Sequence, residues 1–263
     1  MVKTEKPVNE TGLYVSHLMV CFPQDESKSE IVNEFARVVE KNRLSAVNPD
    51  TNIPEIQIIT AASFGHESDA IVMLLAHDPQ TILRLEHEIK DAGVQVVDSF
   101  FSLAESSEYT TTEKQEQARV NELDTTDELK EEMMQQWRER MATYKQHRLY
   151  PHLPAKEFVC FYPMSKKREG DANWYALDFE TRANYMRGHA NVGRTYSGRI
   201  LQLITGSTGL TDWEWGVTLL SDSLVDIKEI VYEMRFDEAS ALYGECGHFT
   251  IARVCEPDQI FAR

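Results

Sequence analysis

Apolar positions along this chain fall into two sets of alternating runs and helical stripes that repeat at a fixed distance. Gln57-Ile58-Ile59-Thr60 aligns without a gap with Gln202-Leu203-Ile204-Thr205, and the register continues through Leu74-Leu75 and Leu219-Leu220, an offset of 145 residues (202 less 57). Each pair of strand-like runs leads into a stripe with the 3.6-residue period: Ile82, Leu85 and Ile89 within 79–92, and Ile227, Ile230, Val231 and Met234 within 224–235. Upstream, Val20-Cys21-Phe22-Pro23 is echoed by Val159-Cys160-Phe161-Tyr162-Pro163, with a tyrosine interposed in the second copy. An echo of this length at a fixed offset implies duplication.

Each half reads strand, helix, strand, strand, helix, strand, the order of a ferredoxin-like split βαβ unit. The first half is predicted near 13–22, 27–43, 55–63, 69–76, 79–92 and 94–104, and the second near 157–162, 178–190, 196–206, 213–221, 223–235 and 246–254. The fold class is therefore α+β, with an N-terminal half over 1–105, an acidic linker and connecting helix over 106–155, and a C-terminal half over 156–263. The linker carries ten Asp or Glu between 105 and 132 against Lys114, Arg119 and Lys130, the composition of a solvated segment or exposed helix face. From Asp127 to about Gln146 it turns helical, and Leu129, Met133, Trp137 and Met141, spaced by four, predict a side packed on the rest of the molecule.

Composition narrows the function classes. A chain of 263 residues with 42% hydrophobic content can bury a real core, and a net charge of −16 with pI near 4.9 argues against nucleic acid as a general partner. The stretch Met1 to Pro7 has no apolar core of a signal peptide, and no run approaches the ~18 apolar residues of a membrane span, so a cytoplasmic location is expected. Cys21, Cys160, Cys246 and Cys255 lack the C-x-x-C spacing of a metal or redox motif; three of them lie in apolar runs where cysteine acts as a small buried hydrophobe.

Against that acidic background, Tyr162-Pro163-Met164-Ser165-Lys166-Lys167-Arg168 sets a phenol and three cations where an apolar strand leaves the core. Arg148, Lys166, Lys167, Arg168, Arg194 and Arg235 are the candidate partners of an anionic ligand, and solvated surface charge is the alternative for each taken alone. His189 closes a helix that carries Tyr185 and Met186 on the same face; such a histidine is more often a satisfied core residue than a metal ligand. Gly206-Ser207-Thr208-Gly209 lies between two strand-like runs with no Lys-Ser or Lys-Thr after it, and reads as a hairpin turn, not a phosphate cradle. His66, His77, His87 and His248 form no zincin-like pair, and no G-x-S-x-G elbow occurs.

Several blocks of the second half, taken in order, resemble one family. Tyr162-Pro163-Met164-Ser165-Lys166-Lys167-Arg168, Asn173-Trp174-Tyr175, Met186-Arg187-Gly188-His189, Gly193-Arg194, Ile204-Thr205-Gly206-Ser207, Asp212-Trp213-Glu214-Trp215-Gly216-Val217 and Tyr232-Glu233-Met234-Arg235-Phe236-Asp237-Glu238 resemble the coproheme decarboxylases of the chlorite dismutase-like family, especially those of Firmicutes. The likeness is close over 148–250 and architectural over 12–105. It implies two ferredoxin-like halves forming a barrel, a haem site in the C-terminal half and a homopentamer. It also implies a reaction: hydrogen peroxide converts two propionates of iron coproporphyrin III to vinyls, giving haem b through a three-propionate intermediate, so that the porphyrin is substrate and redox cofactor together.

Carried over by motif, the resemblance makes His189 the axial iron ligand and Tyr162 the catalytic tyrosine, oxidised to a radical that takes a hydrogen atom from a propionate. Pro163, Met164 and Ser165 would line the same side, Lys166 would meet a propionate, and Arg148 would bind another. Gln202 would lie over the distal face, and Ser240 would be a further substrate contact. Departures are Ala190 where relatives often have Gly, Ser165 at a position often acidic, and Cys246 and His248 near the last strand. Chlorite dismutases carry an arginine at the position of Gln202 and lack the Tyr-Pro-Met-x-Lys run, so chlorite or peroxidase chemistry is the alternative enzyme reading, and a porphyrin carrier without turnover is the other.

Overall fold

The computed structural model describes residues 10–65 and 67–262; the stretch Met1 to Pro7 and His66, read above from the sequence, lie outside the described residues. The first half runs β1 (Thr11–Cys21), α1 (Lys28–Arg43), β2 (Ile56–Phe64), β3 (Ala70–Ala76), α2 (Pro79–Asp91) and β4 (Gln95–Glu105). Two helices follow, α3 (Glu113–Asn121) and α4 (Asp127–Leu149). The second half is β5 (Phe158–Lys166), the small hairpin β6 (Arg168–Glu169) and β7 (Ala172–Asn173), a single turn Trp174–Ala176, α5 (Phe179–Thr195), β8 (Ile200–Gly206), β9 (Trp215–Ser221), α6 (Leu224–Met234), α7 (Glu238–Tyr243), β10 (Gly244–Cys246) and β11 (Thr250–Val254).

The α+β architecture expected from the repeat is the one observed. The strands of the first half lie in the order β2-β3-β1-β4 and those of the second in the order β8-β9-β5-β11, all antiparallel. β4 pairs with β8 at Leu103↔Gly206 and Ala104↔Thr205, and β11 pairs with β2 from Ile251↔Phe64 to Val254↔Ala61. Because each half joins its last strand to the other's second, the eight long strands close into a barrel without free edges. The 145-residue offset places Gln57 and Gln202 on the equivalent strands β2 and β8, and α2 and α6 each follow the equivalent strands β3 and β9.

Alternation along the strands sends one set of side chains into the barrel and the other toward the helices. Phe100, Phe161, Ile71 and Leu220 fill part of the interior. His17 stacks on Phe161 with centroids 4.0 Å apart, and its Nε2 lies 2.8 Å from Thr218 Oγ1. Complete burial pulls its pKa down to about 3, so this histidine is neutral.

The two outer faces are covered differently. In the first half, α1 contributes Phe35 and Val39 and α2 contributes Ile82, Leu85 and Ile89 to one sealed core with Val20, Val72 and Leu74. In the second, α6 contributes Ile227 and Ile230, but of the residues of α5 only Gly193 is buried. α5 therefore stands off a sheet face that its counterpart α1 closes.

Within the acidic linker, Thr112 and Gln115 form a capping box that starts α3, a helix with a mostly exposed surface. Two expectations need correction. The α4 stripe does not pack as a row: Leu129 is 45% exposed, Met133, Trp137 and Met141 are half-buried, and Met134 and Leu149 are the buried residues. A strict spacing of four walks round a 3.6-residue helix by about 40° per step and so leaves any one contact face. Among the cysteines, Cys160 alone is buried; Cys21 and Cys255 are half-buried at strand ends and Cys246 is exposed.

Candidate functional site

The stood-off face of the second half is built from alternate residues of its strands. Tyr162 of β5, Val217 and Leu219 of β9 and Ile200 of β8 are buried there, with Met164, Ile204 and Phe249 packed against them. β5 runs on past the point where β1 stops, because Pro163 and Met164 pair with Gly216 and Trp215 of β9 and Met164 with Cys246 of β10. Tyr162 is 7% exposed, and its ring stacks on Phe249 at 4.2 Å and 22°. Burial, with Cys246 and Cys160 nearby, pushes its pKa above the ordinary phenol value, so the O–H is retained at neutral pH.

His189 is carried in by α5, which Asp178 caps at its N-terminus. Its Nδ1 lies 2.9 Å from Oδ2 of Asp237 and 3.3 Å from Oγ of Ser240. Asp237 is the N-cap of α7 and accepts from the Ser240 backbone N–H at 3.0 Å. Burial opposes ionisation of this carboxyl, but hydrogen bonds from His189 and Ser240 outweigh it and hold the group below the usual carboxylate range. An ionised carboxylate only accepts, so the proton of a neutral His189 sits on Nδ1 and the lone pair on Nε2. Nε2 has no hydrogen-bond partner among the described residues. This is the arrangement of a histidine oriented for metal ligation by a carboxylate behind it.

Lys166, 5% exposed at the end of β5, donates from Nζ to the Ala239 carbonyl at 2.8 Å and lies 4.8 Å from the Trp174 ring. Burial pulls its pKa down to about 8 against the opposing pull of Asp237, Cys246 and Glu214. Buried Glu214 fixes the strand end, accepting from the Lys166 backbone N–H at 2.8 Å and from the Tyr175 hydroxyl at 2.7 Å. Ser165 Oγ accepts from Glu214 N–H at 3.2 Å, and the Pro163 carbonyl accepts from Gly247 N–H at 2.8 Å, so both residues are spent on holding the strand.

Gln202 on β8 reaches across to α5, its Nε2 donating to the Gly193 carbonyl at 3.0 Å, one turn beyond His189. Arg148 is placed differently. At the end of α4 its Nε donates to the Glu105 carbonyl at 3.0 Å, where β4 meets β8, and no hydrogen bond among the described residues joins it to the other candidates. The Glu105 carboxylate stands over Gly206, and burial raises its pKa against the opposing charge of Arg148. The fold thus gathers Tyr162, Met164, Lys166, His189, Gln202 and Ser240 around α5, α7 and one sheet face, and holds Arg148 apart from them at the end of α4.

Asp237, Glu214, Trp174 and Phe249 were given no role from sequence. Asp237 and Ser240 carry the Asp-x-x-Ser pattern of a helix N-cap, which was a usable signal. Nothing in the spacing joins Phe249 to Tyr162, which are brought together only by the pairing of β11 with β5.

A family model described as chlorite dismutase matches residues 28–255. A protein of Natronomonas pharaonis provisionally named for heme binding is 33% identical over 264 residues, a match covering 99% of this chain and 42% of the relative. A similarly named protein of Haloarcula marismortui is 33% identical over 99% of this chain and 38% of its own length. The chain spans about two fifths of the length of these curated relatives. Among solved structures, a heme-binding protein from Thermus thermophilus superposes with a TM-score of 0.75 at 29% identity, covering 95% of this chain and 94% of that one. A chlorite dismutase from Candidatus Nitrospira defluvii gives 0.65 at 15% identity over 95% and 94%, a likeness of fold alone. No helix among the described residues is long and apolar enough to cross a membrane. With the family match running from the start of α1 to the end of β11, this chain belongs to the chlorite dismutase family.

Proposed function

We propose that the chain binds iron coproporphyrin III and, with hydrogen peroxide, oxidatively decarboxylates two of its propionates to vinyls, giving haem b through a three-propionate intermediate. The observation that carries the reading is His189: its Nδ1 is committed to Asp237, its Nε2 has no hydrogen-bond partner among the described residues, and it sits on the helix that stands off its sheet face. The names of the relatives from Natronomonas, Haloarcula and Thermus point to the same ligand class.

Each conversion balances as a propionate, one hydrogen peroxide and one proton giving a vinyl group, carbon dioxide and two waters. Hydrogen peroxide is the oxidant, and the bound iron porphyrin would activate it. The chain's residues do the rest. His189 would hold the iron through Nε2. Tyr162 keeps its O–H at neutral pH, so it can give up an electron and a proton together and then take a hydrogen atom from a propionate, which phenylalanine could not do. Lys166 as the ammonium and Arg148 at the end of α4 bind carboxylates; Gln202, held against the Gly193 carbonyl of α5, stands without the charge of an arginine. Ser240 acts chiefly through Asp237 and His189. The homopentamer implied by the resemblance and the cytoplasmic location expected from the sequence belong to the same proposal.

A second reading, a haem carrier without turnover, is favoured by the relatives' names. Carbon dioxide release separates the two. Peroxide added to the chain loaded with iron coproporphyrin III is expected to liberate two equivalents of carbon dioxide per porphyrin. Retained porphyrin with no gas released would leave the carrier.

A further inference from the structure

Between α6 and strands β5 and β11 lies a cleft of about 370 Å³ that the proposed reaction does not use. Cys160, Ile227, Val231, Phe249 and Ile251 form its apolar walls, and Lys228 and Arg235 stand at its edge. No carboxylate lines it, in a chain whose net charge is −16. The acids of α6 turn the other way: Asp226 pairs with Arg199 at 2.6 Å, and Glu229 and Glu233 face Tyr196. The side chains of Lys228 and Arg235 have no ion pair or hydrogen bond among the described residues.

The first half offers the control. On α2, the counterpart of α6, the 145-residue offset sets Glu86 and Lys90 where α6 has Val231 and Arg235, and Glu86 accepts from the Ser16 hydroxyl at 2.8 Å. The first copy thus has a hydrogen-bonded carboxylate where the second has an apolar wall, and the second copy sets Lys228 and Arg235 at the edge of that wall. Such a slot selects a ligand with an alkyl body and an anionic end, the body desolvated by the walls and the end met by the guanidinium fork. The volume holds roughly a dozen water-sized groups, which is the size of decanoate.

We propose that this cleft is a binding site for a medium-chain carboxylate, its chain lying along Ile227, Val231, Phe249 and Ile251 and its head group on Arg235. Phe249 is a wall of the cleft on one side and stacks on Tyr162 on the other, so occupancy reaches the ring of the tyrosine through one side chain.

Calorimetric titration of the purified chain with decanoate tests this, with decanol as the neutral-headed control. The expected result is saturable one-to-one binding of decanoate, weakened roughly tenfold or more for decanol and for Arg235→Gln, and lost in Val231→Trp with an unchanged near-ultraviolet dichroism spectrum. Arg235 is exposed and its substitution leaves the core intact, so that variant decides alone should Val231→Trp fail to fold. No saturable heat, or equal affinity of the wild type and Arg235→Gln for decanoate, would overturn the proposal. So would mutual exclusion between decanoate and iron coproporphyrin III, which assigns the cleft to the porphyrin. A chain that takes up decanoate but no porphyrin keeps the cleft and loses the haem reading.

Discussion

Nδ1 of His189 lies 2.9 Å from Oδ2 of Asp237, a contact that joins α5 to the N-terminus of α7 and leaves Nε2 as the ring nitrogen without a hydrogen-bond partner among the described residues. In metal sites, removing such a supporting carboxylate costs about 10- to 100-fold in affinity. Asp237→Asn is therefore expected to weaken iron porphyrin binding by roughly that factor while keeping axial ligation. His189→Ala should abolish it, seen as a shifted Soret band; an unaltered band in His189→Ala would remove His189 from the role.

Tyr162 offers the sharpest separation of binding from chemistry. Its hydroxyl has no hydrogen-bond partner among the described residues, and phenylalanine preserves the stack on Phe249. Tyr162→Phe is expected to bind iron coproporphyrin III with wild-type affinity and to stop before the first decarboxylation. Conversion at wild-type rate would place the hydrogen-atom transfer elsewhere.

Lys166 sets a pH dependence. Its ammonium is the form that pairs with a propionate, and burial brings its pKa down to about 8 although Asp237, Cys246 and Glu214 pull upward. Propionates stay ionised well below that pH, so porphyrin affinity should fall as pH rises through about 8. Lys166→Met should flatten this profile and lower affinity at pH 7 by roughly 10- to 100-fold, the worth of one charge-assisted hydrogen bond. In the ligand-free chain the sign is reversed for stability. The folded-state pKa lies below the ordinary lysine value of 10.5, so burying the charge costs stability below about pH 8, and that cost is relieved as pH rises toward 10.5. Comparing urea midpoints of wild type and Lys166→Met across pH 7 to 10 isolates the effect.

Gly12 lies against the end of α4 that carries Arg148. A Cβ at this position would collide with the backbone of Leu149, the residue after Arg148. Gly12→Ala is expected to destabilise the fold by about 1–3 kcal/mol, lowering Tm, and to weaken porphyrin binding by displacing Arg148. Full stability would show that α4 moves away freely.

Much of this could be read from the chain because duplication wrote it twice. The run Gln57 to Leu75 and its echo Gln202 to Leu220 located β2, β3, β8 and β9 and implied the paired halves, since strand alternation and helix period are local signals. The barrel closure was legible only by resemblance, because the pairing of β4 with β8 and of β11 with β2 rests on contacts between distant segments. The same limit applied to the site. Tyr162 and Lys166 stood out as a phenol and cations in an acidic chain, and His189 gained its meaning only from the motifs around it. Asp237 was visible as a helix cap, but a cap does not announce that it holds a histidine 48 residues away. The packing of α4 was misread because four apolar residues spaced by four suggest a face that a 3.6-residue helix does not keep.

The central claim, that this chain turns propionates into vinyls, is tested most directly by the porphyrin's own mass. Purified apoprotein loaded with iron coproporphyrin III and titrated with hydrogen peroxide should yield two successive species, each lighter than the last by one carbon dioxide and two hydrogens, ending at the mass of haem b. A porphyrin that stays bound at its starting mass, or is bleached without either species forming, would contradict it.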